Sequence, residues 1–63
     1  MLRKLREARL AAGLTQVQVA GRLGTTQGRI SKIEQGEIRI DPVELCDLAV
    51  AYRKPIAYFL PEL

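Results

Sequence analysis

Apolar residues recur along this chain at intervals of three and four, and nowhere do they alternate with polar ones as a strand would require. Leu2, Leu5, Ala8 and Ala12 share one face of a helix predicted over 2–12, with Gly13 as its stop. A second helix, over 16–23, opens on Thr15 as N-cap and turns Val19, Ala20 and Leu23 inward. Gly24 and Thr25 make a turn. Thr26 then caps a third helix over 27–35, with Ile30 and Ile33 inward and Gly36 at its end. Asp41-Pro42-Val43-Glu44 is a start signal: an Asp cap, proline at the first helical position and a carboxylate at the third. The fourth helix covers 42–52 and buries Leu45, Leu48, Ala49 and Tyr52, with Cys46 in the same apolar stripe. Lys54-Pro55 breaks it, and a short fifth helix is predicted over 55–60, where Phe59 and Leu60 close the core. The pattern predicts an all-α fold: a compact five-helix bundle, with residues 1–63 forming one domain.

The window 16–35 carries the most information. Two helices that cross steeply over a short turn need a small residue where they touch, which suits Ala20. The turn residue is often left-handed, a conformation glycine adopts without strain, and Gly24 stands there. This is the layout of a helix-turn-helix, a device that sets one short helix in the major groove of DNA, although a plain helical hairpin shares some of its features.

Arg9, Gly13, Leu14, Thr15 and Gln16 stand at the approach to the first motif helix. Val19, Ala20, Leu23, Gly24, Ile30, Ile33, Glu34 and Gly36 follow at core and stop positions. Together they resemble the lambdoid phage repressors, Cro proteins and related bacterial regulators of the XRE family, over nearly the whole chain from Leu5 to Leu60. The resemblance implies a lambda repressor-like DNA-binding domain.

Helical geometry adds one pairing. At about 100° per residue, Arg9 falls within the Leu2, Leu5 and Ala12 stripe, and Glu34 falls beside Ile30 and Ile33. An unpaired buried charge is costly, so these two are expected to find each other unless both reach out to water. The family has a salt bridge at these positions.

The face of the third helix opposite Ile30 and Ile33 carries Gly28, Lys32 and Gln35, with Arg29 and Ser31 on its flanks and Gln27 in the first turn. Gln can pair with adenine N6 and N7, and Arg or Lys with guanine O6 and N7 or with phosphate. By resemblance, Gln27, Gly28 and Lys32 are the base-reading positions, and Arg29 either joins them or takes a phosphate. Gln16, Thr26 and Arg39 are the expected phosphate contacts, and Gln16 can also brace Gln27. The N–H groups of Gln16 and Val17 add the anion preference of a helix start. Gly28 departs from the pattern, since it reads nothing and instead allows closer approach to the groove. Arg22 either touches the flanking backbone or is a surface charge. Arg3, Lys4 and Arg6 either face phosphates or solvate the first helix.

Composition narrows the alternatives. The 63 residues include ten basic and seven acidic ones, a net charge of +3, which suits a polyanionic partner without requiring one. A chain of this size hides only about 60% of its unfolded surface, so its stability is modest unless it dimerises. With one cysteine and no histidine, neither an intrachain disulfide nor a recognisable metal set is expected, and no cofactor. An enzyme is not expected either, for want of a nucleophile paired with a base. No apolar run approaches the ~18 residues of a membrane span and no signal peptide is apparent, so a cytoplasmic protein with no membrane partner is expected.

One short helix reads a short half-site, so the resemblance implies a homodimer on double-stranded DNA. Ile56 and Tyr58 are its candidate interface. Arg53 stands where the family often ends the fourth helix with glycine, which alters the approach to that edge. The expected activity is a sequence-specific regulator, a repressor on a dyad-symmetric operator. The alternatives are an antitoxin or protein-interaction module that binds a toxin or antirepressor, or the DNA-binding part of a larger regulator.

Overall fold

The computed structural model describes residues 2–60, and among them all regular structure is helical. Four α-helices follow in order: α1 Arg3–Ala11, α2 Gln16–Leu23, α3 Gln27–Gln35 and α4 Pro42–Tyr52. The expected fifth helix is a single 3₁₀ turn, Ile56–Tyr58. Pro55 cannot continue a hydrogen-bonded ladder, and the three residues beyond it complete only one tight turn before the backbone leaves.

The helix starts follow their caps. Thr15 Oγ1 accepts from the Gln18 N–H at 3.1 Å, while Gln18 Oε1 accepts from the Thr15 N–H at 2.9 Å, a reciprocal capping box. Asp41 and Glu44 do the same for α4, at 2.8 and 3.2 Å. Thr26 caps α3 by accepting from the Arg29 N–H at 3.2 Å. α1 has no side-chain cap; instead, the Leu2 N–H donates to the backbone oxygen of Glu34 at 2.7 Å. The start of the first helix is therefore tied to the end of the third.

The helix ends share one solution. In each, an N–H two or three residues past the helix donates back to a carbonyl five residues earlier: Leu14 to Arg9, Thr25 to Ala20, Glu37 to Lys32 and Lys54 to Ala49, at 2.9–3.1 Å. This closure needs one residue at positive φ. Gly13, Gly24 and Gly36 supply it for the first three helices, and Arg53, at φ 57°, supplies it for α4.

The core is aliphatic, built from Leu5, Ala8, Val19, Ala20, Ile30, Ile33, Leu45, Leu48, Ala49 and Tyr52, and sealed by Phe59. Three expected core residues lie elsewhere. Ala12 follows the last turn of α1 and is exposed. Cys46 is exposed, because the buried stripe of α4 runs through Leu45, Leu48, Ala49 and Tyr52 and leaves its neighbour one step around the helix. Leu60 is 55% exposed, because only Phe59 points inward where the 3₁₀ turn ends. Leu2, Leu14, Leu23, Ile38, Ile40 and Tyr58 pack partly buried around the core.

A left-handed conformation costs an L-residue about 1–2 kcal/mol, offset in part by the extra freedom glycine has in the unfolded chain. Arg53→Gly is therefore expected to stabilise the protein by about 0.5–1 kcal/mol, measured as a higher urea midpoint at unchanged slope.

Candidate nucleic-acid interface

α2 and α3 meet around Ala20, which is 4% exposed, with Val19, Ile30 and Ile33 closing the contact. A larger residue at position 20 would push the helices apart. Gly24 at φ 69° turns the chain between them. The inward face of α3 is thereby fixed, and Gln27, Gly28, Lys32 and Gln35 are left exposed on the other side.

The exposed face is braced from beneath. Arg9 reaches from α1 to Glu34, with Nε donating to Oε2 at 2.7 Å and Nη2 to Oε1 at 3.1 Å. Both residues are buried, Arg9 at 7% and Glu34 at 3% exposure. Arg9 Nη1 also donates to the carbonyl of Leu14 at 3.0 Å, which fastens the α1–α2 connection. The hydrogen bond to Glu34 raises the Arg9 pKa above its already high value. Tyr52 of α4 lies close by: burial, and then the Glu34 charge, push its phenol up to about 12.

From Glu34 the network runs outward. Gln16 Nε2 donates to Glu34 Oε1 at 3.1 Å, and Gln27 Nε2 donates to Gln16 Oε1 at 2.6 Å. An ionised carboxylate only accepts, so it fixes the direction of every bond beyond it. The amide of Gln16 turns its N–H groups in and its oxygen out. Gln27 must answer with an N–H, and its own oxygen and second N–H remain available to a partner. The ion pair thus sets the donor and acceptor pattern at the tip of α3.

Arg29 is the expected base or phosphate contact on the flank of this face. It turns sideways to α4, where Nε and Nη2 donate to the two carboxylate oxygens of Glu44 at 2.6 Å each. Arg29 sits where α3 faces the first turn of α4, and the Asp41 capping box has already aimed the Glu44 carboxylate at it. The Arg29 hydrogen bonds, with smaller help from Asp41, lower the Glu44 pKa to about 2.

The remaining candidates lie apart from this network. Thr26 is exposed, with its hydroxyl accepting the capping bond. Arg39 is exposed in the loop between α3 and α4, beside an open apolar groove that Leu2, Ile38, Cys46, Ile56 and Leu60 also line. Arg22 borders a shallow cleft with Asp47 and Val50 of α4. Ile56, at 37% exposure, faces the open groove. The Tyr58 ring is engaged within the chain, between Lys4 Nζ at 5.1 Å and Lys54 Nζ at 4.9 Å and edge-on to Phe59. Sequence reasoning missed the Gln16 bond to Glu34 and the role of Glu44 beyond capping. It also missed the Gln18 half of the capping box, although Thr-x-x-Gln is its signature.

A helix-turn-helix domain model matches residues 1–57. The chain belongs to the helix-turn-helix domain family. It is also similar to a protein of Rhodospirillum rubrum described as an uncharacterized transcriptional regulator in the ATPase CF(0) region, 38% identical over 60 residues. The match covers 95% of this chain and 56% of that protein, so the chain spans little more than half of its relative's length. No solved structure matches it. Among the described residues of this helix-turn-helix domain, no helix is long and apolar enough to cross a membrane.

Two predictions follow from the ion pairs. Glu34→Ala leaves the Arg9 guanidinium buried without its partner, which costs about 3–5 kcal/mol. A domain of this size has only about 3–9 kcal/mol in total, so the loss should appear as a large drop in the urea midpoint followed by circular dichroism; a variant as stable as the parent would exclude the contact. For Glu44, the folded value of about 2 lies below the ordinary 4.5, so its contribution is full above that ordinary value and fades as pH falls toward the folded one. Thermal melts between pH 5 and 2 should show a stability loss that Glu44→Gln reduces.

Proposed function

We propose that this chain is a sequence-specific DNA-binding transcriptional regulator of the lambdoid repressor and Cro type. It acts as a repressor, binding a dyad-symmetric operator as a homodimer with α3 in the major groove. The observation that carries the reading is the braced Gln27 at the exposed start of α3, held by Gln16 at 2.6 Å. A reader fixed before binding loses little entropy on binding, and a merely solvated helix face has no need of such a brace. The groups left on Gln27, one acceptor and one N–H, match adenine N6 and N7. Lys32, exposed one turn further along the helix, suits guanine or phosphate.

Gly28 supports close approach. A Cβ built there meets nothing within 4 Å and its φ is not positive, so no contact within the chain calls for glycine. The missing side chain leaves the backbone of α3 open to a partner surface at this point. Gln16 through its backbone N–H, Thr26 and Arg39 are assigned to phosphates, in keeping with the net charge of +3. For the dimer contact, the open groove favours Ile56 over Tyr58, whose ring is already engaged. The R. rubrum relative's description as a transcriptional regulator agrees with this reading.

The test begins with selection of bound duplexes from a random pool, which should return an inverted repeat with half-sites about 34 Å apart. Gln27→Ala and Lys32→Ala should keep the fold and weaken binding to that sequence by about 1–3 kcal/mol each. With about 6–10 phosphates neutralised per dimer, affinity should fall roughly 10³–10⁵-fold between 50 and 200 mM salt. Binding indifferent to salt and to both substitutions would exclude the reading.

A further inference from the structure

Resting on the proposal that α3 enters DNA, we infer that Glu44 sets the limit of the readout by withholding Arg29 from it. Arg29 has the charge and the position of a DNA contact, one residue past Gly28 on the flank of the exposed face. One bidentate edge of its guanidinium, Nε with Nη2, is spent on Glu44 at 2.6 Å, and this holds the group sideways toward α4. The latch is built before DNA arrives. The Asp41 N–H donates to Glu44 Oε1 at 3.2 Å, so the carboxylate is held in place by the α4 cap and offers Arg29 a two-pronged acceptor of the shape a phosphate offers.

Exchange of Glu44 for DNA is unfavourable for a second reason. If Arg29 left, Glu44 would stand as an unpaired anion at the rim of a polyanion-binding face, beside Asp41. The α4 edge of the interface is therefore closed by a neutral pair. Readout falls to Gln27 and Lys32, and the general attraction to phosphate is weaker by one cation per protomer. Glu44 acts here as a specificity-determining residue that touches no base.

The experiment is a charge-balanced cycle on binding to a random-sequence duplex and to the selected operator. Glu44→Gln retains the capping box, since Gln serves at that position. It should bind the random duplex more tightly than the parent and lower the ratio of operator to random affinity. Each new phosphate contact steepens the salt slope by about 0.9, so the gain should shrink roughly three- to four-fold per protomer between 50 and 200 mM salt. The double variant Arg29→Met with Glu44→Gln restores neutrality and should return to parental affinity within about two-fold. Glu37→Gln removes an exposed carboxylate of the α3–α4 loop without freeing a guanidinium and should give a smaller gain. In the unsubstituted protein, the NMR signal of the Arg29 Nε–H should keep its position and exchange protection when operator is added. A gain from Glu37→Gln equal to that from Glu44→Gln, a double variant that loses operator binding, or a shifted Arg29 signal would each overturn the inference. Failure of the parent to bind any duplex would instead overturn the DNA reading on which it rests, whatever the state of the Arg29 signal.

Discussion

The carboxylate of Glu34 is the point at which three helices are held to one another. It lies near the C-terminal end of α3, where the helix dipole disfavours an anion, and it is removed from water. Such a group persists only if its oxygens are satisfied, and they are: two N–H groups come from Arg9 on α1 and one from Gln16 on α2. The backbone oxygen of the same residue accepts the N–H of Leu2, so the start of α1 is fixed by the residue that its own Arg9 grips. No buried side-chain nitrogen or oxygen among the described residues lacks a partner. Two apolar residues of similar volume would hold α1 to α3 as well or better in free-energy terms. They would give Gln16 nothing to donate to, and the amide of Gln27 would lose its defined direction. The pair is best understood as a constraint that reaches the surface.

Helices of eight to eleven residues are marginal in isolation, so their lengths must be imposed from outside. The fold does this with side-chain caps at the starts of α2, α3 and α4 and with the same backbone closure at all four ends. Fixed helix ends matter for the interface because Gln16 and Gln27 are each the first residue of a helix. Fraying of either start would separate them. The Thr15 and Thr26 caps therefore serve the exposed network as much as they serve stability.

Much of this was legible in the sequence, and the parts that were not share a cause. Thr15, Gly24, Thr26, Gly36 and Asp41-Pro42 act through bonds to backbone a few residues away, so local sequence places the helix ends to within a residue or two. Arg9 and Glu34 are conspicuous because each is a charge on an apolar face, and the structure has them in contact. Arg29 and Glu44 carry no such mark. Both lie at partly exposed positions where water is an adequate partner, and their meeting depends on where the tertiary fold brings the start of α4 relative to α3, which no short-range pattern encodes. Cys46 and Leu60 went astray for a related reason. Each sits at the margin of an apolar stripe, where burial is decided by what covers it. A 3₁₀ turn stands where a fifth helix was expected, since the chain after Pro55 closes only i→i+3 bonds, Tyr58 to Pro55 and Phe59 to Ile56.

The two ion pairs put the same chemistry to opposite uses on one helix. At the buried end of α3, a carboxylate takes a guanidinium from another helix and through Gln16 gives direction to a polar side chain in the first turn. On the flank of α3, a carboxylate from another helix takes the guanidinium of α3 itself and removes it from the exposed surface. With Gly28 adding no side chain, the outward face is reduced to a braced amide at Gln27 and a single cation at Lys32, with Gln35 at its far end. A surface so sparse suits recognition by shape and hydrogen-bond pattern better than by charge. On the proposed DNA reading, two or three side chains per protomer specify few base pairs, which is why that reading calls for a second copy of the helix.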